Sequence, residues 1–270
     1  MRWSRLAALV LFLLVPGTAQ HAAGQEAPAA QERKTFREAF RTFAADGRYL
    51  VTFPSRTNPK GVWLTLGIVA ATGLTMNRDG EIREHVLESD SRTAGRIATK
   101  FEPLGRTEVE AAALGALCLA ARGAKNERLI STSATAFESY LWSMILTSLV
   151  KGAFGREPPG RGSGNGEFFE RETIFPSGHT ARSFAIASIF ANRHGRKAAF
   201  IAYPLAALIG WSTVQEDRHW ASDIVAGAGL GLAIGKGIAA RHPGAGETGV
   251  STTAWQIVPR PGGAALRIVF

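Results

Sequence analysis

Cysteine is nearly absent from the sequence, and so is any pattern typical of nucleic-acid binding. Cys118 is the only cysteine among 270 residues, so no disulfide bond can form within one chain. It falls in the apolar pattern EAAALGALCLAARGA, which favours burial. The formal net charge is +9, but no motif and no basic block with interleaved aromatic residues accompanies it. We therefore expect no nucleic-acid partner. The charge indicates a solvated basic surface or an affinity for phosphorylated metabolites or anionic lipid.

Uninterrupted apolar runs long enough to cross a bilayer, about 18 residues, are also lacking. The apolar segments are shorter, or they contain a charge or a proline. We therefore expect a compact soluble bundle of helices with one buried layer, with peripheral membrane contact left open. No repeat period is evident, and nothing in the sequence decides the oligomeric state.

The first 25 residues have the pattern of an export signal. MRWSR supplies a short basic region, LAALVLFLLVPGTA supplies an apolar stretch, and small residues follow. An uncleaved anchor is the alternative, but the apolar stretch is short for one. An exported chain without a cysteine pair favours a bacterial periplasm.

The rest of the chain divides into three predicted parts. Residues 26–54 are a polar linker and an N-terminal segment with a short amphipathic helix and an extended piece. Residues 55–241 hold six apolar stretches of helical length, which predict an all-α domain. Residues 242–270 form a tail in which apolar and polar residues alternate around PRPGG, a pattern typical of a β-hairpin. Between two predicted helices lies the long loop REPPGRGSGNGEFFERETIFPSG, and such long loops are often functional.

The tetrapeptide Pro176-Ser177-Gly178-His179 stands directly before a helical pattern. A helix start has backbone N–H groups without partners and a partial positive charge. Glycine allows a ligand close to the backbone, and Ser177 adds a hydroxyl donor. Together they predict a cradle for a tetrahedral oxyanion, with His179 at its rim to exchange a proton. The alternative is an ordinary helix start.

Two further clusters contain residues suited to phosphate chemistry. His219 and Asp223 are four residues apart, so on a helix the carboxylate can orient the imidazole and leave its other nitrogen as nucleophile or base. Lys151 and Arg156 enter the long loop, where cations could neutralise a phosphate. The alternatives are a structural His–Asp pair and a lysine that caps a helix end.

In this order the clusters resemble the type 2 phosphatidic acid phosphatase superfamily, which includes class A acid phosphatases and vanadium haloperoxidases. Its signature is Lys, six residues, Arg-Pro; then Pro-Ser-Gly-His; then Ser-Arg, five residues, His, three residues, Asp. The second part is intact here, and Ser212, His219 and Asp223 match the third. Two arginines that bind phosphate oxygens in the family are replaced, by Pro158 and Thr213. Arg156 is our candidate substitute. Arg182 and Arg218 are also near, with a solvent-facing charge as the simpler interpretation.

The resemblance implies a compact helical bundle and hydrolysis of phosphomonoesters, soluble or lipid, without metal or other cofactor. His219 would form a phosphohistidine, Asp223 would stabilise its imidazolium, and His179 would serve as acid and base. The residues implied for phosphate binding are Lys151, Ser177, Gly178 and, as the substitute, Arg156.

Three alternatives remain open. The first is an inactive family member that binds phosphate or a phospholipid headgroup, which the two missing arginines motivate. The second is a haloperoxidase, whose chains are typically longer and depend on the same arginines. The third is a structural helical protein in which the order of the motifs is a coincidence.

Overall fold

The computed structural model describes the backbone of two C-terminal strands and, otherwise, residues 28–52, 59–88, 92–160, 166–169 and 173–243. Outside the two strands, the described part of the chain is all-α, as the sequence predicts. The predicted signal peptide, residues 1–25, lies outside the described residues. In chain order the helices are α1 (Pro28–Thr52), α2 (Pro59–Met76), α3 (Asp79–Glu88), α4 (Arg92–Phe101), the 3-10 helix Glu102–Gly105, α5 (Thr107–Gly123), α6 (Glu127–Phe154), α7 (Gly178–Gln215) and α8 (Ala221–Arg241).

Two predicted apolar stretches form the two arms of one helix, α7. The arms meet at Gly195, whose φ of 74° and ψ of −160° are not helical and require glycine. Pro204 lies within the second arm. Helices α3 and α4 were not predicted. Helix α3 is short and largely polar, with little apolar periodicity. Helix α4 is equally short, but Ala94, Ile97 and Phe101 lie on one face at helical spacing, a signal in the sequence that was missed.

Helix α1 is longer than the sequence suggested. The expected linker, short helix and extended piece are one helix over the whole of Pro28–Thr52. Gly47 does not interrupt it. A Cβ at this position would lie 1.9 Å from the Trp142 ring, so the glycine makes room for the indole, which stacks on Phe43 at 4.5 Å between ring centroids.

The core lies where α6, α7 and α8 pack together. Helix α6 packs against both other helices, with α5 on its outer side. The buried apolar side chains at the centre are Leu114, Phe137, Tyr140, Ile189, Ile234 and Ile238. Cys118 is buried, as predicted.

A stripe of three glycines, which we call the glycine stripe, sets the contact between α7 and α8. The glycines lie on α8 at intervals of four residues, and each faces a backbone carbonyl of α7. Cβ atoms there would lie 2.6, 2.2 and 2.6 Å from the carbonyl oxygens of Ser177, Ala181 and Ala185, too close for any side chain. The stripe consists of Gly227, Gly231 and Gly235.

Among the helices that the structure describes, two have the length and composition of a membrane span, contrary to the expectation from the sequence. They are α7 and α8, of 38 and 21 residues. The interior of the protein buries 28% of the most apolar window of α7 and 50% of that of α8. Buried core helices also have this composition, so the two helices do not by themselves establish a membrane span.

The C-terminal elements are two strands, β1 (Ala254–Arg260) and β2 (Gly263–Val269), which pair antiparallel. The side chains of these strands are outside the described residues, so the predicted hairpin and its packing on the helical body stay predictions. The predicted domain boundaries at residues 55 and 241 also stay predictions.

Candidate active site

The start of α7 is fixed by hydrogen bonds from two directions. Ser177 is the N-cap, and its buried Oγ accepts hydrogen bonds from the backbone N and the Oγ1 of Thr180, at 3.4 and 3.0 Å. The backbone N–H of Ser177 donates to the carbonyl oxygen of Asp223 at 3.0 Å. The first turn of α7 is therefore tied to the first turn of α8, and its free N–H groups have a fixed direction.

His219 and Asp223 form the predicted pair at the start of α8. Nδ1 of His219 lies 3.3 Å from Oδ2 of Asp223, and this oxygen also accepts a hydrogen bond from the backbone N–H of Trp220 at 3.0 Å. Asp223 is fully buried, and His219 is 8% exposed. A carboxylate on Nδ1 leaves Nε2 without its proton, as the nitrogen able to attack an electrophile.

Arg156 lies behind this pair rather than in open solvent. Its Nη1 donates to Oδ1 of Asp223 at 2.5 Å, and its Nη2 donates to Oδ2 of Asp79 at 2.8 Å. Nη1 also donates to Oγ of Ser222, and Nε donates to the carbonyl oxygen of Gly166. The arginine is 2% exposed, so one guanidinium neutralises two buried carboxylates. This arrangement favours a role in holding Asp223, while the predicted role in phosphate binding stays a prediction.

Lys151 reaches the start of α7 from the last turn of α6. Its Cε lies 4.0 Å from the point where a Cβ on Gly178 would stand, and Nη1 of Arg182 lies 3.2 Å from the same point. Burial lowers the pKa of Lys151. Two cationic side chains therefore flank the oxyanion cradle that the sequence predicts.

His179 lies in a cationic and mostly buried environment. Burial is the largest cause that lowers its pKa to about 3, and the charges of Arg182, His219, Arg218 and Lys151 act in the same direction. Its Nε2 is buried without a hydrogen-bond partner among the described residues and lies 3.8 Å from Oε1 of Glu102, beyond hydrogen-bonding distance. The imidazole is therefore neutral until negative charge enters the site.

All seven predicted site residues lie in one connected region. Contacts link Arg156 to Asp223, and Asp223 to His219 and to Ser177. Lys151 approaches the position of a Cβ on Gly178, which precedes His179 in the chain. Their chemical roles stay predictions.

The two positions where the family has arginine cannot contribute a cation. Thr213 is fully buried and its hydroxyl donates to the carbonyl oxygen of Gly210 at 2.7 Å. Pro158 is half-buried in the loop after α6.

Three buried carboxylates of this region were not predicted. Asp79 pairs with Arg156, and Glu110 with Arg182, while Glu102 binds both Arg106 and Arg218. Asp79 and Glu110 stand in first turns of helices, where acids are common for electrostatic reasons, so the sequence offered no signal of their partners.

One group of potential metal ligands occurs elsewhere in the described part of the chain. The group consists of three residues, each with one possible ligand atom, and these atoms lie within 4.8 Å of one another. The residues are Asp46, Glu138 and His242. Asp46 already accepts hydrogen bonds from Arg241 and from Nε2 of His242, so both of its oxygens have partners. This network joins α1, α6 and the end of α8.

Comparison with known proteins agrees with the site. A family model described as PAP2 superfamily matches residues 133–246 and so includes all seven predicted site residues. A lipid A 1-phosphatase of Porphyromonas gingivalis is 30% identical over 178 residues, which are 64% of this chain and 36% of that protein. The matched stretch thus spans about a third of the curated relative.

A solved structure shares the fold. It is described as the first transmembrane PAP2 type phosphatidylglycerolphosphate phosphatase from Bacillus subtilis, and it matches with a TM-score of 0.53 at 18% identity, over 66% of this chain and 92% of that one. The resemblance drawn from the motifs is thereby confirmed. Residues 133–246 of this chain are thus similar to the PAP2 superfamily in their motifs and in the family model, and the fold is shared with the solved structure.

Proposed function

We propose that this protein is a metal-independent phosphomonoesterase that removes phosphate from a membrane lipid through a phosphohistidine on His219. The observation that carries the proposal is the buried His219–Asp223 pair, 3.3 Å between Nδ1 and Oδ2, beside the capped start of α7. It combines an oriented nucleophile with an anion cradle.

In the first step Nε2 of His219 attacks phosphorus, and the bond from phosphorus to the ester oxygen breaks. The leaving oxygen takes a proton from His179. Asp223 stabilises the positive charge on the phosphorylated imidazole, and Arg156 holds Asp223 in place. The N–H groups at Gly178 and the ammonium of Lys151 bind the phosphoryl oxygens.

In the second step His179, now neutral, takes a proton from water, and the oxygen attacks phosphorus. The P–N bond to His219 breaks and phosphate leaves. The first step needs a protonated His179, whereas the empty site keeps it neutral. A bound phosphate dianion compensates the surrounding cations and raises this pKa, so substrate binding itself prepares the acid.

Two features support a lipid substrate and association with a membrane. A cavity of about 610 Å³ lies between α2, α3, α7 and α8, with apolar walls that include Trp63, Ile68, Ile82, Phe184, Trp211 and Ile224. Helix α2 also has exposed apolar side chains, among them Trp63, which is 73% exposed. Exposed apolar surface of this kind favours contact with lipid. The signal-like residues 1–25 support export to a periplasm.

The two named relatives act, by their descriptions, on lipid A and on phosphatidylglycerolphosphate. Both substrates are phosphorylated lipids. The test is release of phosphate from a lipid phosphomonoester in mixed micelles and from p-nitrophenyl phosphate, with EDTA present. We expect activity insensitive to EDTA and inhibited by orthovanadate. The variant His219→Asn should lose at least about a thousandfold in turnover. A requirement for an added divalent metal would contradict the mechanism.

A second candidate function is phosphate or headgroup binding without turnover, since Pro158 and Thr213 replace arginines of the family signature. Protein incubated with a ³²P-labelled phosphomonoester and then denatured in alkali separates the two. An acid-labile label that His219→Asn abolishes supports the enzyme. Binding of phosphate without label or product supports the inactive alternative.

A further inference from the structure

Helix α7 carries a buried arginine one turn after His179. Arg182 is 7% exposed, and two of its nitrogens are fixed. Nε donates to Oε2 of Glu110 at 2.7 Å, and Nη2 donates to the carbonyl oxygen of Gly105 at 2.7 Å. The other oxygen of Glu110 accepts a hydrogen bond from Ser183 at 2.7 Å. One edge of the guanidinium is therefore held rigidly by α5 and the 3-10 helix.

The remaining nitrogen, Nη1, points to the start of α7. It lies 3.2 Å from the position of a Cβ on Gly178, the residue where the predicted oxyanion cradle opens. The Cε atom of Lys151 approaches the same point to 4.0 Å from the opposite helix. A tetrahedral anion at Gly178 would therefore meet one cation from α6 and one from α7.

The two other arginines considered from the sequence are engaged differently. Arg156 directs its Nε, Nη1 and Nη2 to buried acceptors. Arg218 has a side chain that is 51% exposed and pairs with Glu102 and Glu216. Arg182 combines burial, a fixed guanidinium and a donor facing Gly178.

We propose that Arg182 binds the phosphoryl group directly, with Nη1–H donating to a non-bridging oxygen. It would then supply a guanidinium in a site where Pro158 and Thr213 replace the two arginines of the family signature. This inference rests on the proposed function for its substrate. The oxygens of a phosphoryl group gain charge as the P–O bond to the leaving group breaks, so a fixed guanidinium favours the transition state. Arg182 is then a catalytic residue in addition to the seven predicted from the sequence.

The test compares Arg182→Gln and Arg182→Lys with the wild type. We expect Arg182→Gln to lower kcat/KM for p-nitrophenyl phosphate by roughly 10- to 150-fold, the equivalent of one charge-assisted hydrogen bond. The affinity for orthovanadate, measured by calorimetric titration, should fall at least about tenfold. Arg182→Lys retains the positive charge but not the planar guanidinium. Its kcat/KM and its vanadate affinity should lie between those of the wild type and those of Arg182→Gln.

The matched control is Arg193→Gln. Arg193 is also buried on the first arm of α7, about 16 Å further along the helix at 1.5 Å per residue. It donates to Ser131, Thr135 and the carbonyl oxygen of His242. We expect this variant to lose stability, while the folded fraction keeps its vanadate affinity within about twofold.

The outcomes separate the two proposals. If the wild type is active and Arg182→Gln keeps both kcat/KM and vanadate affinity within about twofold, the assignment of Arg182 is wrong. If the wild type hydrolyses nothing but binds vanadate through Arg182, the proposed function fails and the assignment stands. If Arg182→Gln does not fold, Arg182→Lys decides, because an unchanged vanadate affinity in that variant overturns the assignment. A wild type that neither binds vanadate nor turns over overturns both.

Discussion

The backbone N–H of Ser177 donates a hydrogen bond to the carbonyl oxygen of Asp223 at 3.0 Å. This bond joins the proposed phosphate-binding turn to the residue that contacts His219, the proposed nucleophile. Asp223 contributes its carbonyl to Ser177 and its carboxylate to His219 and Arg156. The position of His219 relative to the start of α7 therefore depends on one buried aspartate.

Replacing Arg156 with lysine should destabilise the protein and slow catalysis. Lysine keeps a charge, but its single ammonium cannot reproduce the fixed planar geometry with which the guanidinium donates to Asp79 and Asp223. We therefore expect a loss of about 1.5–3 kcal/mol in the free energy of unfolding. The value of kcat should fall more than KM changes, because Asp223 acts on His219. Chemical denaturation and steady-state kinetics measure both effects.

The control for this change is Arg83→Lys. Arg83 forms a similar two-point pair with Asp217, at 2.7 and 2.8 Å, but both side chains are partly exposed. We expect Arg83→Lys to lower the free energy of unfolding by no more than about 1 kcal/mol. Should Arg156→Lys weaken vanadate binding without affecting stability, Arg156 would contact phosphate, as the sequence alone predicted.

A methyl group on the glycine stripe should separate α7 from α8. A Cβ at Gly231 would lie 2.2 Å from the carbonyl oxygen of Ala181, and both backbones would have to move. Gly231→Ala should therefore cost about 1–3 kcal/mol of stability. In Gly115→Ala, within α5, the added Cβ has nothing within 4 Å. The free energy of unfolding of this second variant should rise by about 0.5–1 kcal/mol. Equal effects in the two variants would show that the stripe does not set the helix contact.

The ring of His179 should stay neutral between pH 5 and pH 8 in the free protein. Its pKa is lowered to about 3 by burial and by neighbouring cations. NMR of ¹⁵N-labelled histidine, assigned with His179→Asn, should show no titration of this ring in that range. Saturating orthovanadate should raise the pKa by adding negative charge. A ring that titrates near pH 6.5 without ligand would contradict the cationic, buried environment.

Stability should fall as pH rises because of Glu138. Burial raises its pKa to about 8, and the hydrogen bond to Asp46 and the charge of Asp46 add to this effect. The folded state therefore holds a proton that the unfolded chain releases near its ordinary value of 4.5. The resulting stabilisation is complete below about pH 4.5 and is lost as pH rises through 8.

Glu138→Gln removes this titration. Between pH 5 and pH 9 the free energy of unfolding of the wild type should decrease more than that of the variant, measured by denaturation at each pH. Glu81→Gln, at an exposed pair with Arg78, should follow the wild type. Parallel curves for Glu138→Gln and the wild type would mean that Glu138 is ionised throughout.

What could be predicted from the sequence was local. The contact of His219 with Asp223 and the helix start after Ser177 depend on neighbours along the chain, and both are present. The reason for the first differs from the prediction, because His219 lies before the N-cap Trp220 and not on the helix. The pairing of Arg156 with Asp79 could not be predicted, because 77 positions separate them and only the packing of α3 against the site brings them together.

The difference between local patterns and long-range contacts also explains where the predicted fold was wrong. The region of α1 was predicted as a linker, a short helix and an extended piece, whereas the structure has one helix in which packing on Trp142 requires Gly47. Helix α3 has little apolar periodicity, so its existence depends on contacts that a linear pattern does not contain. Helix α4 has apolar residues at helical spacing and could have been predicted.

The glycine stripe has a consequence for how this fold can diversify. Because α8 lies directly on the carbonyl groups of α7, the contact between the two helices has no room for a larger residue at any position of the stripe. The lining of the apolar cavity can vary instead, for example at Trp63 on α2 and Ile82 on α3. The spacing of α7 and α8 would therefore stay constant while the shape of the cavity changes.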